Sequence, residues 1–121
     1  MSITEFENLI TQAVGALPET IRAKLNNVEI IMEEGDSPNN SLFGLYHGVS
    51  QLKRGSSYGM GPTLPDKITI YKGTIEKFAG NEAHIPKLVR RVVWHEIGHH
   101  FGFDEPGIRR LEKKWEAEKK L

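Results

Sequence analysis

The sequence predicts a single α+β domain, with helices before and after a small set of strands. Three observations carry this expectation. Apolar residues recur at helical spacing near the start of the chain and again over its last third. Short β-branched and aromatic runs occupy the middle. The 121 residues contain no repeat, low-complexity tract or linker, so residues 1–121 read as one domain.

In chain order, Ile3, Phe6, Leu9, Ile10, Ala13 and Val14 predict a helix over residues 3–16 with one buried stripe. Pro18 suits the first turn of a second short helix reaching Leu25, because a helix needs no N–H there. Val28–Met32 reads as a strand, and Gly35–Asn40 as a loop. Leu42–His47 reads as a second strand, and Gly44 within it signals a bulge or a close approach by another backbone. Residues 50–65 are rich in Gly, Ser and Pro and predict a long loop, a class that is usually functional or mobile. Lys67–Tyr71 is the clearest strand. Residues 74–79 suggest a helical turn, and Gly80-Asn81 a loop.

Pro86 then opens the longest helix, on which Leu88, Val92, His95 and His99 follow one face. Pro106-Gly107 reads as a break before a final charged helix from Ile108 to Leu121, with Leu111 and Trp115 on its buried side.

Composition excludes several functions. Lys plus Arg number 16 and so do Asp plus Glu, and a net charge of zero argues against bulk nucleic-acid binding. With no cysteine, disulfides and thiolate metal sites are excluded, so any metal ligand must be His, Asp or Glu. The acidic, amphipathic start is unlike a signal peptide, and no apolar run approaches membrane-spanning length. The simplest expected location is the cytoplasm, with no membrane partner.

The chemistry concentrates in residues 95–105, His-Glu-Ile-Gly-His-His-Phe-Gly-Phe-Asp-Glu. His95 and His99 are four apart, so on a helix both imidazoles share a face and can bind one Zn2+. Glu96 beside them is placed to act as general base for a water on that metal. Gly102 allows a sharp turn that returns an acid to the metal. Glu105, six residues after His99 with Gly102 at the midpoint, is the third candidate ligand. Asp104, one residue short of that register and next to a Phe103 expected in the core, is the alternative. Glu112 on the final helix is a further candidate. The losing acids would be solvated or would orient a histidine.

His100 lies about 140° around the helix from His95 and is expected to pack or to support the ligands rather than to ligate. His47 and His84 are isolated, though His47 on the second strand could reach the cleft. Tyr46, Tyr58 and Tyr71 could each donate to an oxyanion, with aromatic packing the simpler reading. Lys53-Arg54 and the charge run of residues 109–120 read as solvated surface. The reaction this set suggests is hydrolysis of a peptide bond in a peptide or protein substrate. A peptide-binding module that does not cut, and hydrolysis of another amide or an ester, are the competing readings. An intact Glu96 argues for catalysis, since binding alone gives no reason to keep a base there.

His95-Glu96-x-x-His99-x-x-Gly102 resembles the motif of zincin metallopeptidases. The chain is similar in particular to a family of small bacterial minimal zincin-like proteins. The likeness rests also on Gly44-Leu45-Tyr46-x-Gly48, on Arg54 followed by a Ser-Tyr-Gly loop, and on Leu64–Tyr71. It spans residues 44–105. The resemblance implies a small twisted mixed sheet packed against the motif helix and its neighbours, with zinc in the cleft. It also implies an edge strand that pairs with an extended substrate, which places Gly44, Leu45 and Tyr46 at the substrate. Phe43–Tyr46 would be that edge and Lys67–Tyr71 its inner neighbour. Three departures stand out. The family commonly has Asp at the third-ligand position, where this chain has Glu105. It commonly has an acid after Tyr46, where this chain has His47. No methionine follows Met60, so the methionine-containing turn of the larger metzincins is absent.

Overall fold

The computed structural model describes residues 1–38, 41–48 and 65–119. Helix α1 spans Ile3–Gly15 and α2 spans Glu19–Arg22. Strands β1 (Val28–Glu33), β2 (Gly44–His47) and β3 (Asp66–Tyr71) follow. Helix α3 covers Lys72–Ala79, and a turn of 3-10 helix at Glu82–His84 leads into α4 (Ile85–Phe101) and α5 (Glu105–Lys119). The predicted α+β class stands: one small mixed sheet with five helices among the described residues. The predicted loop over 50–65, with Tyr58 and Lys53-Arg54, lies outside the described residues except for Pro65.

The sheet has the order β1-β3-β2. The central strand β3 runs parallel to β1, with Ile30 opposite Ile68, and antiparallel to β2, with Tyr46 opposite Ile68. Alternation explains its burial: Asp66, Ile68 and Ile70 all face the helices and are buried. Their cover is α4, whose Val89, Val93 and Ile97 are fully buried in the same core. On its other side α4 takes Phe6, Ile10 and Ala13 of α1. The Trp94 indole N–H donates to the Ala13 carbonyl at 2.8 Å, and the ring meets Trp115 of α5 edge-on with centroids 5.9 Å apart. A helix gripped from three directions is a rigid carrier for whatever side chains it presents.

Two departures from the expected elements matter for the site. The chain does not break at Pro106-Gly107; α5 begins at Glu105 and runs through both residues. Asp104 is the reason. Its side-chain Oδ1 accepts the Gly107 N–H at 2.9 Å and its carbonyl accepts the Ile108 N–H at 2.8 Å, which makes it the N-cap. Pro106 then occupies the first turn, where no donor is missed. Phe103 is not in the core: it is 40% exposed, because the turn after α4 swings it outward. That turn is made by Gly102 at φ 97°, left-handed backbone, whose N–H caps the Gly98 and His99 carbonyls. Gly98 lets α5 come close, since a Cβ there would stand 2.7 Å from Ile108 Cγ1.

The helical turn expected at 74–79 is the longer α3, whereas the helix expected from Pro18 to Leu25 is only the four residues of α2. Strand β2 is shorter than residues 42–47.

Candidate metal centre

Helix α4 places His95 and His99 one turn apart on a face that reaches solvent, their ring centroids 5.0 Å apart. His95, Glu96 and His99 offer ligand atoms that all lie within 4.8 Å of one another. The tight turn at Gly102 and the Asp104 cap bring the first residue of α5 back over this face. Glu105 Oε1 stands 3.1 Å from His95 Nε2 and 3.2 Å from His99 Nε2. Ligand atoms on a tetrahedral zinc, each at about 2.0–2.2 Å from it, stand roughly 3.3 Å apart. Two imidazole nitrogens and one carboxylate oxygen at these separations are a donor set that fits zinc, and a cysteine-free chain has no softer alternative.

The other acids are sorted by position. Asp104 is turned away into the α5 cap. Glu112, two turns further along the same face of α5, approaches the opposite ring nitrogen of His95, with Oε1 3.6 Å from Nδ1. A carboxylate on Nδ1 fixes the ring and leaves Nε2 for a metal. Glu112, together with the charges of Glu96 and Glu105, raises the His95 pKa against the effect of burial.

Glu96 lies beside the two histidines on the side of α4 that faces β2, its carboxylate within 4.8 Å of a ligand atom of each. It is 8% exposed. Burial raises its pKa from the ordinary carboxylate value, while His95, His99 and a hydrogen bond from the Tyr46 N–H hold it down. The strand register explains that bond. Tyr71 N–H donates to the Phe43 carbonyl at 2.9 Å, so residues 43, 45 and 47 face β3 with their backbone polar groups. Gly44 and Tyr46 turn theirs to the open edge, where the Glu96 carboxylate meets Tyr46. Gly44 is required here, since a Cβ would stand 2.9 Å from Val92 Cγ1 and 3.2 Å from Glu96 Cγ. The close approach expected at Gly44 is thus made by α4 side chains and the Thr69 carbonyl. β2 is an edge strand and β3 its inner neighbour among the described residues.

Leu45 and His47 are exposed on the strand's other face, and His84 is an exposed residue at the N-terminal end of α4, about three turns before His95, its Nδ1 3.3 Å from the Ala79 carbonyl. Neither histidine is brought to His95 and His99. The Tyr46 hydroxyl donates to Asp66 Oδ2 at 2.6 Å, so it is engaged away from any oxyanion. The same oxygen is 2.8 Å from His100 Nδ1. An ionised carboxylate can only accept, so Nδ1 carries the proton. His100 is fully buried, as its helical angle implied, and through Asp66 it ties α4 to both β3 and β2.

Asp66 was invisible as a partner because its contacts lie 20 and 34 residues away. Asp66→Ala should lower unfolding free energy by about 3–6 kcal/mol, the worth of two hydrogen bonds to a charged acceptor at roughly 1.5–3 kcal/mol each. Urea denaturation with the metal chelated measures it, and a loss under about 1 kcal/mol would contradict a shared buried acceptor.

A cavity of about 450 Å³ opens beside the histidines. Its wall includes Phe43 and Gly44, which the resemblance puts at the substrate edge, Arg109, which the sequence reads as solvated surface, and Phe78, to which the sequence gives no role. Arg91 also lines it, and its place four residues before His95 is the signal that would have found it.

A mixed α+β domain whose central helix presents two histidines and an acid beside an edge strand is a metallopeptidase-type architecture. Residues 19–115 match the family model described as zincin-like metallopeptidase, and the chain belongs to that family. A conserved hypothetical protein from Thermo thermophilus shares the fold, with a TM-score of 0.57 at 20% identity over 93% of this chain and 99% of that one. No curated protein matches the sequence. No helix among the described residues is long and apolar enough to cross a membrane.

Proposed function

We propose that the protein is a zinc-dependent peptidase in which His95, His99 and Glu105 hold the metal and Glu96 is the general base. The observation that carries this reading is the convergence of both Nε2 atoms on one Glu105 oxygen, with the Glu96 carboxylate beside them against the edge strand. Zinc held there would polarise a substrate carbonyl and bring the pKa of a water down to about 7.

The chain's own residues supply the rest. An extended peptide pairs with the open edge of β2 through the Gly44 N–H and C=O, which sets the scissile bond alongside α4. Glu96 takes the proton of the attacking water and passes it to the departing amine. Burial makes the carboxylate a stronger base than an exposed one, and the Tyr46 N–H keeps it aimed along the strand. Glu112 holds the His95 ring through Nδ1.

The test is metal content together with cleavage of a peptide library. The expected result is one zinc per chain and cleavage that chelation stops and added zinc restores. A protein that takes up no zinc would sink the reading; zinc without cleavage of any peptide would replace it with a binding role.

A further inference from the structure

The groove beside the metal centre carries a charge pattern that the hydrolytic chemistry does not use. Phe43 and Phe78 meet edge-on with centroids 4.9 Å apart, and with Leu88 and Val92 they form an apolar wall. Phe78 is 70% exposed, although it belongs to the inner surface of a cleft. Arg91 from α4 and Arg109 from α5 enter the same cavity from two different helices. A second cavity of about 330 Å³ shares Phe78, Leu88 and Arg91 with the first and adds Lys87, so the groove continues away from the histidines along α4.

Arg90 shows what a structural arginine looks like in this helix: it pairs with Glu116 at 3.0 Å and lies over the Trp94 ring. Arg91, Arg109 and Lys87 have no ion-pair partner among the described residues. The groove's acids, Glu96, Glu105 and Glu112, all sit at its metal end. The cavity therefore joins an apolar wall to two arginines, with Lys87 next to Arg91 in the adjoining cavity, while its acids are turned to the metal centre, Glu105 and Glu112 against His95 and Glu96 beside them.

We propose that this groove selects peptides in which acidic residues flank a bulky apolar one. The apolar side chain seats on Phe43, Phe78, Leu88 and Val92, and the carboxylates meet Arg91, Arg109 and Lys87. Basic residues in the same positions meet Arg91, Arg109 and Lys87 and are rejected, which is selection by repulsion as well as by attraction. This rests on the peptide-cleft reading above but not on turnover.

The experiment uses zinc-loaded Glu96→Gln protein, so that binding is read without cleavage. Three fluorescein-labelled alanine-based peptides are compared by anisotropy at low and high salt: Phe flanked by Glu, Phe flanked by Lys, and Ala flanked by Glu. The Glu-Phe peptide should bind about tenfold tighter than the Lys-Phe one at low salt, the yield of a few partly screened ion pairs, and the margin should shrink at high salt. Arg91→Glu with Arg109→Glu should reverse the charge preference. Phe78→Ala should erase the preference for Phe while keeping the preference for Glu. All three positions are exposed, and an unchanged melting temperature and zinc content check that the fold is intact.

Equal affinity for the two charged peptides, no binding of any, or a double variant that behaves like its parent would overturn the inference. The peptidase reading is judged separately with unsubstituted protein. Selective binding without cleavage would refute hydrolysis and leave the groove assignment standing. Cleavage indifferent to acidic flanks would do the reverse.

Discussion

Glu96→Gln should lower the turnover of a cleavable peptide by about 10²–10⁴-fold and leave zinc bound. Glutamine keeps the size and an acceptor oxygen, so the Tyr46 N–H retains its partner and the gap beside Gly44 stays filled. What it lacks is a site for the water's proton. A loss in kcat with little change in KM is the pattern of an interaction made only in the transition state. Activity within threefold of the parent would remove Glu96 from the role.

The same variant has a stability signature in chelated protein. Burial raises the Glu96 pKa above its ordinary value, so between the unfolded and folded values the folded chain binds the extra proton. Stability contributed by this group therefore falls as pH rises through that window and stays lower above it. Chelated Glu96→Gln should melt above its parent at neutral pH, and the gap should close on acidification below the unfolded carboxylate's range. A gap that is constant with pH would assign it to packing instead.

Much of this site is legible in the sequence because it is local. The four-residue spacing of His95 and His99 follows from helical pitch, and the helix that holds it carries a buried face of Val89, Val93 and Ile97 readable at the same period. The position of Glu105 required a turn at Gly102, and the left-handed backbone there is what a glycine in that place signals. The parts that escaped are non-local or depend on one side chain's choice of partner. Pro106-Gly107 reads as a break until Asp104 is known to cap the helix across it. Phe103 reads as core by type, yet the turn points it at solvent. Nothing near β1 announces a parallel pairing with a strand whose partner residues lie 38 positions on, as for Val28 and Asp66. The Asp66 link between Tyr46 and His100 is of the same kind, as is the meeting of Arg91 and Arg109 across one cavity.

Three acids near the histidines should separate by how their amides bind zinc. Glu105→Gln removes the only one of the three carboxylates that touches both Nε2 atoms. An amide oxygen is a neutral, weaker donor, so its zinc affinity should fall by more than the roughly 10–100-fold typical of supporting residues. Glu112→Gln belongs to that supporting class, because its carboxylate faces Nδ1 of His95 at 3.6 Å and an amide oxygen still presents an acceptor to that nitrogen. Its loss should stay within about 10–100-fold. Asp104→Asn should leave affinity nearly unchanged, since Asn caps a helix about as well as Asp and the side chain is engaged with Gly107 rather than the rings. Competition with a chromogenic zinc chelator measures all three on one scale. The order Glu105, then Glu112, then Asp104 is the expected one, and an Asp104→Asn loss larger than that of Glu105→Gln would exchange their roles. It would also require the first turn of α5 to unwind when metal binds, because Asp104 cannot cap Gly107 and reach the histidines at once.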